Sequence, residues 1–286
     1  MKAVILNISA WMLLPFMDGL AKFLSQDIHF LQVVWGRYFF MAFFSIVITS
    51  IFFKTHLVFP KGIKIQILRS FFLFFSTVFF FYAISVISLA EALTLAFISP
   101  IIATTLSFFI LKEKVGPRRW IAVVVGFIGV LFVIRPGFNE INIATFAAVG
   151  AGICYAFYVI STRKLSSIDS PLMTLIFTGL TGALVISILV PFFWTWLTLS
   201  QWLLLISLAA IGTLAHFLLI LSLTLAEASK LAPLSYSEII MNVIIGYYFF
   251  GDFPNQWIWI GLAIIIASGV YISLRENKNK NLEINL

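Results

Sequence analysis

Apolar runs of about 20 residues, enough to cross roughly 30 Å of hydrocarbon as a helix, recur along the chain between charged or turn-like breaks. The pattern predicts ten helical spans, over residues 3–24, 30–53, 66–87, 90–111, 118–134, 143–162, 171–196, 201–224, 231–250 and 257–273. What remains is spread over nine short connections and two ends, so no soluble domain is expected. The first run is too long for a cleaved signal peptide and lacks a small-residue cleavage site, and is read as the first helix.

Composition agrees with that reading. The 286 residues are 62% hydrophobic and only 10% charged, against about 25% charged in soluble domains, and the mean hydropathy is +1.10. The fold class is therefore an all-α integral membrane protein. Cys154, the one cysteine, lies inside an apolar run, which leaves no disulfide framework and no Cys/His metal cluster. The net charge of +7 follows the positive-inside rule rather than a nucleic-acid surface. With the N-terminus inside, fifteen of the eighteen Lys and Arg fall on cytoplasmic stretches: Lys2; Lys54, Lys61, Lys64 and Arg69; Lys112, Lys114, Arg118 and Arg119; Arg163 and Lys164; Lys230; and Arg275, Lys278 and Lys280. Lys22, Arg37 and Arg135 are left over, and both termini are expected in the cytoplasm.

The chain also repeats itself. Leu89-Ala90-Glu91-Ala92 returns as Leu225-Ala226-Glu227-Ala228, an offset of 136. Each copy opens a span and is followed by an acidic loop (Lys112-Glu113-Lys114, Gly251-Asp252-Phe253) and then by a Trp-led span rich in small residues. Five spans repeated must place the second copy upside down, giving two inverted five-helix repeats with a substrate site expected near the bilayer midplane between them.

Charged and polar residues within spans are the site candidates, because an ionised group at a helix centre costs about 2.5–3.5 kcal/mol on insertion scales. Trp11, Pro15, Asp18 and Lys22 share one face of the first span; Asp18 and Lys22 either wall a vestibule or neutralise each other at i, i+4. Arg37 lies about seven residues, or ~10 Å, inside the second span and needs an anion: Asp18, Glu238, or the carboxylate or phosphate of a substrate. Glu238 has no cation within one helical turn in sequence, and Ser235, Glu238 and Asn242 share a face. Burial disfavours its charged form, which suits proton coupling or cation binding; the plain alternative is a packing hydrogen bond. Tyr155, Tyr158 and Thr162 repeat that spacing on the sixth span, where the rings either stack on a solute or fill the core. His216, the one deep histidine, is either a structural hydrogen-bonding group or a proton relay. Glu91 and Glu227 are read as helix-start charges, and Thr174, Thr178 and Thr181, Ala122 with Gly126, and the tryptophans 194, 196, 202, 257 and 259 as packing and anchoring. Pro15 and Pro100 are expected to loosen their helices.

The stretch Ser99-Pro100 through Leu111-Lys112-Glu113-Lys114-Val115, Trp120-Ile121-Ala122, Gly126-Phe127-Ile128-Gly129-Val130 and Arg135-Pro136-Gly137 resembles the end of an EamA domain, the repeat unit of the bacterial drug/metabolite transporter superfamily. The resemblance implies two such domains, residues 1–137 and 138–275, followed by a cytoplasmic tail at 276–286, in the cytoplasmic membrane of a bacterium. It also implies a secondary-active carrier working by alternating access. Asp18-Gly19-Leu20-Ala21-Lys22, Arg37 and Ala232-Pro233-Leu234-Ser235-Tyr236-Ser237-Glu238 are similar to the branch containing S-adenosylmethionine uptake and riboflavin carriers, which adds Tyr236 to the candidates.

The expected substrate is a small polar or zwitterionic metabolite: an amino acid, an S-adenosylmethionine-like sulfonium or a flavin, with a proton or other ion as coupling partner. A broad exporter of lipophilic or toxic metabolites is the alternative. No Ser/His/Asp or Cys/His set supports an intramembrane enzyme, no repeated charge ring or filter loop a channel, and no Walker motif direct ATP drive. No cofactor, metal or nucleic-acid partner is expected.

Overall fold

The structure, a computed structural model, describes residues 2–53, 60–110, 117–134, 142–226 and 231–268. The expected acidic loop at 112–114, the Arg135-Pro136-Gly137 end, Glu227 and the tail at 276–286 lie outside the described residues, as does the junction between the two expected repeats.

Among the described residues all regular structure is helical: α1 (Lys2–Leu24), α2 (Phe30–Ile48), α3 (Ile63–Val86), α4 (Leu89–Ala96), α5 (Ile98–Ile110), α6 (Pro117–Ile134), α7 (Ile143–Leu165), α8 (Pro171–Leu189), α9 (Leu199–Leu225), α10 (Glu238–Phe250) and α11 (Gln256–Ser268). Seven helical stretches are long and apolar enough to span a bilayer, α4 and α5 counting as one, and three shorter apolar helices lie at 124–133, 238–250 and 256–268. Local chemistry sets the starts. Ser88 Oγ accepts the Glu91 N–H at 3.2 Å, with Glu91 in the first turn of α4, and Thr198 and Gln201 form a reciprocal capping box on α9. Gly251, at φ +69°, ends α10.

The polarity of this bundle is turned inside out. Asn7, Asp18, Arg37, Arg69, His216, Glu238 and Asn242 are buried, while Phe39, Phe43, Phe75, Phe109, Leu184, Ile188 and Phe249 are exposed. Water does not reward that distribution; hydrocarbon does. This is a multi-pass membrane protein.

α1 lies along α9 and α3 along α7, while α2 packs on α8. α2 also touches α9 and α3 touches α8; α10 packs on α1, and α4 and α5 pack on α7. α4 meets α10, and α6 meets α11 where a Cβ on Gly129 would lie 2.9 Å from the Gly261 carbonyl oxygen. Small residues let those backbones touch.

Two of the stretches are broken. One breaks at Phe97, between α4 and α5, where Gly152 of α7 leaves room for the Ala96 carbonyl. The other is the 3-10 segment Ala232–Ser237, containing Pro233, which precedes α10.

Candidate functional site

Both breaks open onto one cavity, about 1160 Å³ of space when its mouth and the open solvent there are included. The α1 wall is the stripe Asn7, Trp11, Leu14 and Asp18, at intervals of four, three and four. α9 adds His216, Leu219 and Leu223, α7 adds Tyr155 and Val159, and the segments around the breaks add Phe97, Ser99, Pro100, Ser235 and Glu238.

Arg37 reaches the cavity from α2. Its guanidinium donates to Thr77 Oγ1 at 2.7 Å and lies 2.7 Å from His216 Nε2, with the rings of Tyr38 and Phe81 each 5.4 Å away. These partners are neutral, and Arg37 Nε has none. The hydroxyl of Thr77 donates to the Leu73 carbonyl, so the Tyr38 hydroxyl, 2.8 Å away, is the donor to Thr77.

Asp18 and Glu238 face the same cavity, and neither belongs to the one ion pair found among the described residues, Lys22–Asp252 at 3.1 Å. Tyr155 stands edge-on to Trp11, ring centroids 6.0 Å apart, and its buried hydroxyl has no partner. The result is a mostly apolar chamber holding two carboxylates, one guanidinium and an aromatic corner.

Of the residues singled out from sequence, Trp11, Asp18, Arg37, Tyr155, His216, Ser235 and Glu238 line this chamber. Lys22 does not. Neither alternative drawn for it, a vestibule wall or a pair with Asp18, is what the structure shows: Lys22 bridges to Asp252 beyond α10 and donates to the Ile87 carbonyl at 2.9 Å, closing one end of the bundle. Tyr158 stands behind the wall, its hydroxyl 3.4 Å from His216 Nδ1. Asn242 is buried off the chamber, with its amide nitrogen 3.4 Å from the Glu238 carbonyl and its Oδ1 unpartnered. The side chain of Tyr236 lies outside the described ones.

Arg69, read among the cations of the cytoplasmic stretches, is no solvated loop charge: it lies on α3 and is fully buried. It donates to Thr162 Oγ1 and Thr178 Oγ1, each at 2.6 Å, and to the Tyr158 hydroxyl at 3.1 Å. Thr162 and Thr178, read as face and packing residues, are thus its ligands. Asn7, Ser76 and Thr77 are cavity residues that the sequence reading missed. Asn7 carries a signal, standing four residues before Trp11 on the same face, and Ser76-Thr77 are the polar interruption of a Phe-rich run. At the opposite end of the bundle from Lys22, Asp169 accepts the Lys61 N–H at 2.9 Å and the Gln66 amide at 3.1 Å, pinning the start of α3 to the α7–α8 turn. Among the described residues no three His, Cys, Asp or Glu side chains gather as a metal site would require.

Comparison with known proteins now decides the family. The EamA-like transporter family matches residues 1–135 and again 142–274. The chain belongs to this family. As an EamA-like transporter it is 27% identical over 267 residues to the S-adenosylmethionine uptake transporter of Rickettsia bellii, covering 93% of this chain and 91% of that one. It is 32% identical over 205 residues to the riboflavin transporter of Vibrio cholerae, covering 68% of this chain and 66% of that one. A protein of known crystal structure superposes with a TM-score of 0.74 over 96% of this chain and 98% of that one at 17% identity, a likeness of fold.

Proposed function

We propose that this EamA-like transporter is a ten-helix carrier of two inverted repeats, residues 1–137 and 138–275, with both termini in the cytoplasm of a bacterium. By alternating access it moves a small cationic or zwitterionic metabolite of the S-adenosylmethionine kind. The repeat reading is supported by the main packing pairs: exchanging α1 with α7, α2 with α8, α3 with α9 and the α4–α5 stretch with α10 turns α1–α9 into α3–α7, α2–α9 into α3–α8 and α1–α10 into the packing of α4 and α5 on α7, and returns α2–α8 to itself. The breaks near Phe97 and Pro233 correspond in the same exchange.

The observation that carries the substrate class is the charge balance of the chamber. Asp18 and Glu238 line the same chamber as Arg37, none of the three is in an ion pair among the described residues, and the hydrogen-bonding partners of Arg37, Thr77 and His216, carry no negative charge. A solute with a fixed sulfonium, an ammonium and a carboxylate complements all three groups, and a buried unpaired charge is costly enough to make that complement valuable. The name of the Rickettsia bellii relative agrees with this chemistry. A riboflavin-like solute is the second reading, favoured by the Trp11–Tyr155 corner in an otherwise apolar lining, but it leaves both carboxylates without a counter-charge.

Thermal stabilisation of the purified protein distinguishes them. A ligand at 100 times its Kd adds about 2.7 kcal/mol. The proposal expects a shift with S-adenosylmethionine that is lost in Glu238→Gln. A shift with riboflavin alone, unchanged in Glu238→Gln, supports the second reading and overturns the first.

A further inference from the structure

We infer that Trp11 is a stacking platform for the planar ring of the solute, and that Asn7 and Ser222 are positioning residues that hold the indole in place. The inference rests on the cationic-metabolite reading above and assigns the ring-binding subsite within the same chamber.

Three hydrogen bonds carry it. Trp11 Nε1 donates to Asn7 Oδ1 at 2.9 Å, Asn7 Nδ2 donates to Ser222 Oγ at 3.0 Å, and Ser222 Oγ donates to the Leu219 carbonyl at 2.8 Å. The direction of every bond is fixed by chemistry. An indole N–H only donates, so the Asn7 atom facing it is the carbonyl oxygen. The Asn7 amide nitrogen then faces Ser222, whose hydroxyl must accept and pass its own proton to Leu219. All three side chains are buried, and the chain runs from α1 to α9 across the chamber wall.

Two consequences follow for a ligand. The single polar group of Trp11 is already committed, so what the residue offers the chamber is its π surface and ring edge. Tyr155, with its ring inclined at 62° to the indole, cannot sandwich a flat group against Trp11. The two rings make a corner in which a planar heterocycle stacks on one and meets the edge of the other. Such a corner recognises the nucleoside portion of an adenosyl sulfonium and is indifferent to the aliphatic portion. Asp18 lies seven residues further along the same stripe, about 10 Å at 1.5 Å per residue, the separation expected between a ring subsite and a charge subsite for one extended solute.

The test compares equilibrium binding of S-adenosylmethionine and S-methylmethionine, which keeps the sulfonium and amino-acid groups and has a methyl in place of the adenosyl group. Wild type is expected to prefer the adenosyl compound by roughly tenfold or more, as one ring stacked on an aromatic side chain allows. Trp11→Ala should abolish the preference by weakening S-adenosylmethionine alone, Trp11→Phe should retain most of it, and Asn7→Leu and Ser222→Ala should each reduce it, leaving S-methylmethionine binding within a fewfold. Because each ratio is measured within one variant, a loss of folded protein does not mimic the effect. An unchanged ratio in Trp11→Ala and Asn7→Leu overturns the inference while leaving the charge reading intact. A wild type that binds neither compound overturns both.

Discussion

His216 Nε2 lies 2.7 Å from a terminal nitrogen of Arg37. Arginine is a donor that stays protonated, so Nε2 must be the acceptor and the imidazole proton sits on Nδ1, facing the Tyr158 hydroxyl 3.4 Å away. In this conformation His216 is a neutral positioning group for Arg37. Nitrogen NMR of labelled protein should report the Nδ1–H tautomer, and an Nε2–H signal contradicts the arrangement. His216→Leu removes the acceptor and should cost about 1–3 kcal/mol, the penalty of leaving a buried donor unmet, whereas His216→Gln should retain most of the stability.

Arg69 should behave differently from Arg37. Thr162 and Thr178 already donate their hydroxyl protons to the carbonyls of Tyr158 and Thr174, so losing Arg69 leaves them short only of a donor. Arg69→Met should lower stability by about 1–3 kcal/mol and change solute affinity no more than a fewfold, because Arg69 does not line the chamber. Arg37→Met should abolish binding of the zwitterion. Thermal denaturation and binding measured on the same preparations check the contrast, and equal losses of affinity contradict it.

The Lys22–Asp252 bridge closes the end of the bundle away from the Asp169 clamp, with the two side chains 14% and 30% exposed. At that exposure an ion pair contributes about 1 kcal/mol at most, enough to shift a two-state equilibrium roughly fivefold. Spin labels at Ser25 and Asn255, in a Cys154→Ser background, should show a larger long-distance population in Lys22→Gln than in wild type. An unchanged distribution removes Lys22 from gating.

His29 offers a test outside the membrane-spanning helices. Its Nδ1 accepts the Leu31 N–H at 3.3 Å, capping α2, and its ring stacks on Phe193 at 4.3 Å. Burial holds the imidazole below its ordinary value. The unfolded chain therefore takes up the proton first, and the stability contributed by the neutral cap is present above about pH 6.5 and lost as pH falls through the folded value. Melting temperature should decline with acidification less steeply in His29→Asn, which keeps a cap without the titration. Identical slopes rule out the contribution.

What the sequence made legible was what local spacing encodes. The apolar runs mark the helices, and the interval from Trp11 to Asp18 marks a face that the structure does turn into the chamber. Partners supplied by distant helices were not legible. Lys22 has an attractive anion four residues away in sequence, yet Asp252 holds it, because the α10–α11 turn comes to the same end of the bundle. Arg69 follows Lys61 and Lys64 and, three residues into the third run, reads as one more cation of a cytoplasmic end; the hydroxyls that make its burial tolerable belong to α7 and α8. Phe97 and Pro233 lie in stretches with visible helix-breaking signals, but only the packing brings both breaks to one cavity.

Under the proposed function, Asp18 and Glu238 hold the cationic part of a carried metabolite. The most direct test is counterflow of radiolabelled S-adenosylmethionine into proteoliposomes preloaded with the unlabelled compound, for wild type, Asp18→Asn and Glu238→Gln at matched reconstitution. Wild type is expected to accumulate label, neither variant is, and external riboflavin should leave the accumulation unchanged. Accumulation that persists in both variants, or an absence of counterflow by wild type alongside counterflow of riboflavin, contradicts that role.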